Sequence, residues 1–148
     1  MNVLWVLIVL TVILLAGCGG SGPLIPICDR PLTEDEAAQV LALADRIAAA
    51  GPQWATYAQT ARSRLAQGRM CVGKLPDGAQ GWAQWCPLRL QIILAPAPNG
   101  FFQLNVMDQA GVLLIEACHS RCACVGKCYS LVKQWEQDYF AMLFKREV

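Results

Sequence analysis

The longest apolar run of the chain comes first: Val3 to Ala16, fourteen residues interrupted only by Thr11. At about 1.5 Å per residue such a run reaches ~21 Å, short of the ~30 Å hydrocarbon core of a bilayer. It therefore fits the apolar stretch of a signal peptide better than a spanning helix. Gly19-Gly20-Ser21-Gly22-Pro23 then offers nothing to bury and reads as a flexible tether. The organisation expected is a signal peptide over 1–17, a tether over 18–27 and one domain over 28–148.

Helical periodicity opens the domain. Thr33-Glu34-Asp35-Glu36 is a capping-box pattern, a hydroxyl for the first-turn amides and a glutamate to reach back. Val40, Leu41, Ala44, Ile47 and Ala48 follow at three-four spacing until Gly51-Pro52. A second helix is expected with Trp54, Tyr57, Ala58, Ala61 and Leu65 on its apolar side, and Gln59, Arg62, Ser63 and Gln67 more exposed, ending at Gly68. The two form an N-terminal αα-hairpin. Arg62, Arg64 and Arg69 read as a solvated face, with an anion-binding patch as the alternative.

From Met70 the period shortens. Met70-Cys71-Val72 reads as a short strand, Pro76-Asp77-Gly78 as a turn, and Gly81 to Pro87 as an aromatic-rich connection. Trp82 and Trp85 in that connection suit cover over a disulfide, with ligand stacking as the alternative. Leu88, Leu90, Ile92 and Leu94 alternate with Arg89 and Gln91; after Asn99-Gly100, Phe102, Leu104 and Val106 alternate with Gln103 and Asn105. Asp108 to Gly111 reads as a turn and Val112 to Ala117 as a covered strand. A three- or four-stranded antiparallel meander is expected. Tyr129, Leu131, Val132, Trp135, Tyr139, Phe140, Leu143 and Phe144 then form the stripe of a C-terminal amphipathic helix. The fold class is α+β.

Charge changes the picture only by exclusion. Twelve basic and 11 acidic residues give a net charge of +1, and no basic run occurs, so no nucleic-acid partner is expected.

The address lies in the leader. Leu15-Ala16-Gly17-Cys18 resembles the lipobox of bacterial lipoproteins. The resemblance covers the leader alone and implies that the Cys18 thiol receives a diacylglycerol and becomes the first mature residue, anchored in a membrane. Gly19 stands where an aspartate would resemble an inner-membrane retention signal. The resemblance therefore implies the periplasmic face of the cell envelope, on the outer membrane where the cell has one, with an envelope protein as partner.

Cysteine is the compositional outlier, with eight in 148 residues. Apart from Cys18 these are Cys28, Cys71, Cys86, Cys118, Cys122, Cys124 and Cys128. In an exported domain they are first of all disulfide partners. The Pro76-Asp77-Gly78 turn favours Cys71 with Cys86, leaving Cys28 to reach the cluster that ends the sheet.

That cluster, Cys118-His119-Ser120-Arg121-Cys122-Ala123-Cys124-Val125-Gly126-Lys127-Cys128, also holds the only histidine. Cys118, His119, Cys122, Cys124 and Cys128 are ligand types for zinc or cuprous copper. Their C-x3-C-x-C-x3-C spacing matches neither zinc ribbons, haem attachment nor ferredoxins. It also lacks the C-x-x-C of thiol-disulfide oxidoreductases. Ser120 beside His119 does not make a triad, and no nucleophile elbow, phosphate loop or dinucleotide fingerprint occurs. The expectation is a non-catalytic binding or assembly module without a cofactor; the alternative is a zinc or copper binder or a thiol redox protein built on the cluster.

Overall fold

The computed structural model describes residues 27–76, 78–84, 91–121 and 125–146. Within them the elements are β1 (Ile27–Pro31), α1 (Glu34–Ala49), α2 (Ala55–Ala66), β2 (Met70–Lys74), β3 (Gly81–Gln84), β4 (Gln91–Leu94), α3 (Val106–His119) and α4 (Val125–Arg146). Short 3-10 turns occupy Pro52–Trp54 and Phe101–Gln103. The expectations for the leader, Cys18, the tether as far as residue 26, Asp77, Trp85, Cys86, Leu88 to Leu90, Cys122 and Cys124 lie outside the described residues. None of the described helices is long and apolar enough to cross a membrane.

The sheet is mixed, with strand order β1-β2-β4-β3, and so corrects the expected antiparallel meander. β1 runs antiparallel to β2, β2 parallel to β4, and β4 antiparallel to β3. The chain passes from β2 to the far edge at β3 and returns to lay β4 between them. Burial explains why alternation misplaced this strand: Ile92, Ile93 and Leu94 are all fully buried. A strand covered on both faces is a continuous apolar run suited to the middle of a sheet. Gly81–Gln84, read as a connection, is itself the edge strand, with Trp82 partly exposed on it.

At the other edge, the register of β1 on β2 slips between Cys28 and Arg30. Cys28 faces Gly73 there, and a Cβ on Gly73 would lie 2.1 Å from the Ile27 carbonyl oxygen. The bulge closes only because that position has no side chain.

The two predicted helices exist, but they are not N-terminal to the sheet: α1 and α2 are the connection between β1 and β2. The capping box forms as the sequence indicates. Thr33 Oγ1 accepts from the Glu36 amide at 3.2 Å, and the Thr33 amide donates to Glu36 Oε2 at 2.9 Å. The buried face of α1 is Val40, Leu43, Ala44 and Ile47, whereas Leu41, expected inside, is exposed. Ala58 and Ala61 of α2 bring its backbone close to the core.

The larger correction concerns 102–117. Phe101–Gln103 is a 3-10 turn and Val106–His119 is helix α3, not two strands and a turn. Asn105 starts the helix, its Oδ1 accepting from the amides of Met107 and Asp108 at 3.0 Å each. Ala110, Leu113, Leu114 and Ala117 then fall on one buried stripe at helical spacing. Asn99 sits at φ 62 within the loop ahead of that turn, so Asn99-Gly100 redirects the chain without making a hairpin. A Cβ on Gly100 would come within 2.1 Å of the Pro96 carbonyl oxygen.

The C-terminal amphipathic helix is present as α4. Trp135 is fully buried and stacks on Tyr139, with ring centroids 5.5 Å apart. Arg46 of α1 lies over the Tyr139 ring and donates to its hydroxyl at 2.6 Å. One core joins these helices to Met70, Ile92 and Leu94 of the sheet.

Candidate functional site

The cysteine stretch is the joint between α3 and α4. Cys118 lies in the last turn of α3 and Cys128 in the first turn of α4, and a disulfide links them with their Cα atoms 5.6 Å apart. Both are buried, Cys118 at 4% exposure and Cys128 at 0%. Helices that follow one another through a few residues are thus fixed at their adjoining ends.

A second disulfide joins Cys28 to Cys71, 43 residues apart in sequence. This corrects the expected Cys71–Cys86 pair and the expected reach of Cys28 into the cluster. Topology is the reason. β1 lies directly on β2, which places the Cys28 and Cys71 Cα atoms 5.7 Å apart, within disulfide reach. The turn after β2 leads instead to β3, which β4 separates from β2. The bond therefore pins the first strand to the sheet. No described cysteine is free.

These bonds bear on the soft-metal set. Of Cys118, His119, Cys122, Cys124 and Cys128, the first and last share a disulfide, and a bonded sulfur offers no thiolate. Cys122 and Cys124 lie outside the described residues. The residues as bonded do not fit the five-donor site. Among the described residues no three His, Cys, Asp or Glu side chains are grouped to hold an ion.

His119 has a different neighbour. Its Nδ1 lies 3.4 Å from Glu116 Oε2, one turn earlier on α3, and its ring meets Tyr129 edge-on with centroids 5.6 Å apart. The Glu116 side chain is only 8% exposed. It packs under β3, where a Cβ on Gly81 would come within 2.8 Å of its Cγ. Burial pushes the Glu116 carboxyl above the usual carboxylate range, while His119 and a hydrogen bond from the Ala83 backbone pull it back. Sequence reasoning missed Glu116 because 112–117 was read as a strand; i, i+3 spacing on a helix would have paired it with His119.

Tyr129 beside the joint and Phe140, Leu143 and Phe144 further along α4 are exposed, with Phe144 at 68%. The aromatic stripe of the sequence is thus divided between core and surface. Comparison of this chain with family models, with curated proteins and with solved structures finds no match.

Proposed function

We propose that this protein is a lipid-anchored component of the bacterial cell envelope, whose disulfide-stapled domain is a non-catalytic binding or assembly module. The observation that carries this reading is the buried Cys118–Cys128 bond. It commits the ends of the cysteine cluster to fixing α3 against α4, which suits a structural role in an oxidising compartment. The Cys28–Cys71 bond serves the opposite edge of the domain in the same way. Exposed Tyr129, Phe140, Leu143 and Phe144 on the stapled helix give a partner a rigid aromatic surface. The leader supplies the anchor, through Cys18 and the lipobox resemblance.

Two measurements test the reading. Metabolic lipid labelling marks the wild-type protein and is lost in Cys18→Ser; unchanged labelling in that variant rejects the anchor. Intact mass after alkylation without reduction leaves Cys28, Cys71, Cys118 and Cys128 unmodified. Finding Cys118 and Cys128 alkylated in exported material, with metal bound under native conditions, would turn the reading to the metal alternative.

A further inference from the structure

The outward side of α2 carries a polar stripe that neither the core nor the disulfides use. Thr56, Gln59, Thr60 and Ser63 recur at three-four spacing opposite buried Ala58 and Ala61. With Arg64 and, from the turn after α3, Arg121, they line a cleft of about 740 Å³, within the ~300–1,000 Å³ usual for small-ligand sites. Among the described residues no acidic side chain lines it.

Three arginines of the domain are already engaged. Arg30 is held by Glu36 and Arg62 by Asp45, and Arg46 is engaged with Tyr139. Among the described residues the two cleft arginines have only long contacts to neutral oxygens: Arg64 Nη2 to the Ser120 carbonyl at 3.5 Å, and Arg121 Nη1 to Thr60 Oγ1 at 3.4 Å. Arg64 Nε is buried without a hydrogen-bond partner among the described residues. Each guanidinium carries five N–H donors, so most of this capacity is unspent. Burial, and then the neighbouring charge of Arg69, pull the Arg64 pKa down.

We propose that this cleft is a binding site for a phosphate group, held by Arg64 of α2 and Arg121 of the turn after α3, with the hydroxyls of Thr56 and Ser63 completing its shell. Two guanidiniums from two elements match the ~1.5 to 2 negative charges and the several acceptor oxygens of a phosphate monoester. A lone carboxylate would neutralise only one of them. Arg62, which the sequence groups with Arg64, is excluded by its pairing with Asp45, and Arg121 joins only through the packing of α3 on α2. The phosphate monoester belongs either to a small soluble ester or to the headgroup of phosphatidic acid, and the same chemistry recognises both.

The test is calorimetric titration of the full-length, oxidised chain with inorganic phosphate at low ionic strength. Saturable binding is expected, displaced by sulfate and unaffected by chloride at equal ionic strength. Arg121→Gln and Arg64→Gln are each expected to weaken it at least about tenfold, since a charge-assisted hydrogen bond is lost, while Arg62→Gln leaves it nearly unchanged. Arg121 is exposed in a turn, so its variant keeps the test readable if Arg64→Gln unfolds. Absence of saturable binding, or equal weakening by Arg62→Gln, overturns the site. Co-sedimentation with vesicles containing phosphatidic acid, whose headgroup is a phosphate monoester, then separates the sources, reading only the difference between wild type and Arg121→Gln, because leader and anchor contribute equally to both. A difference abolished by free phosphate assigns the headgroup; no difference, with calorimetric binding intact, assigns a soluble ester.

Discussion

The indole N–H of Trp54 donates to Asp138 Oδ2 at 2.9 Å, joining the turn before α2 to the middle of α4 across 84 residues of sequence. Gln53 donates to the same oxygen at 2.9 Å. Trp54 is only 2% exposed, so its N–H relies on this carboxylate for its hydrogen bond.

Asp138→Ala is therefore expected to destabilise the domain by ~1 to 3 kcal/mol, the cost of an unsatisfied buried donor. Asp138→Asn, which keeps an acceptor oxygen, should cost less. Urea denaturation checks this through the midpoint at unchanged slope. Equal stability of wild type and Asp138→Ala would show that the Trp54 contact contributes nothing.

A second relationship makes stability depend on pH. Arg30 grips both carboxylate oxygens of Glu36, at 2.6 and 2.7 Å, and these bonds, with help from the Thr33 amide, lower the Glu36 carboxyl from an ordinary value of 4.5 to about 2. Because the folded form binds the proton more weakly than the unfolded chain, the stabilisation is complete above the ordinary value. It is lost as pH falls from about 4.5 towards about 2. Arg30 is nearly half exposed, so added salt should shrink the effect. Thermal unfolding across this window should show an acid limb that is shallower in Glu36→Gln; an identical limb in the variant would remove Glu36 from the account.

This cap and its ion pair were half legible in the sequence. Thr33 and Glu36 announce the box, and the spacing of Trp135 and Tyr139 announces α4, because both signals are local. α3 was obscured because Asp108 to Gly111 looks like a turn and Val112 to Ala117 is uniformly apolar, a pattern that suits a buried helix as well as a strand. The decisive mark was Asn105 with Asp108, an N-cap with an acid in the first turn. No local pattern could have placed β4 between β2 and β3 or brought Cys28 to Cys71, since both depend on which strands become neighbours. The phosphate cleft needs Arg121 carried to α2 by the same tertiary packing.

Loop length separates the two disulfides energetically. Cys28–Cys71 closes a separation of 43 residues and Cys118–Cys128 one of 10. In the chain-entropy model these correspond to ~4 and ~3 kcal/mol. Replacing Cys28 and Cys71 together by Ala should thus lower stability more than replacing Cys118 and Cys128 together. Equilibrium denaturation of the two double variants decides the order. A reversed order would mean that strain or packing at the buried α3–α4 joint outweighs loop entropy.

The docking of β1 also rests on Gly73, and the contact there leaves little room for adjustment. A Cβ at this position would meet the Ile27 carbonyl oxygen at 2.1 Å and Ile93 Cγ2 at 2.9 Å. Neither neighbour can swing away as the tip of a long side chain would: the first is backbone, and the second belongs to a fully buried residue of the central strand. Gly73→Ala must therefore push β1 off β2 or distort the bulge, at a cost of about 3 kcal/mol or more, the upper range of overpacking. The Cys28–Cys71 bond would hold the displaced strand nearby, so the loss should appear as early hydrogen exchange at the β1 and β2 amides as well as a lower unfolding midpoint. Gly78, at φ 80 with open space around it, provides the contrast, since Gly78→Ala incurs backbone strain of order 1 kcal/mol without a clash. A Gly73→Ala protein as stable as Gly78→Ala, with β1 still protected, would show that this edge tolerates a side chain and that the close approach is not what selects glycine.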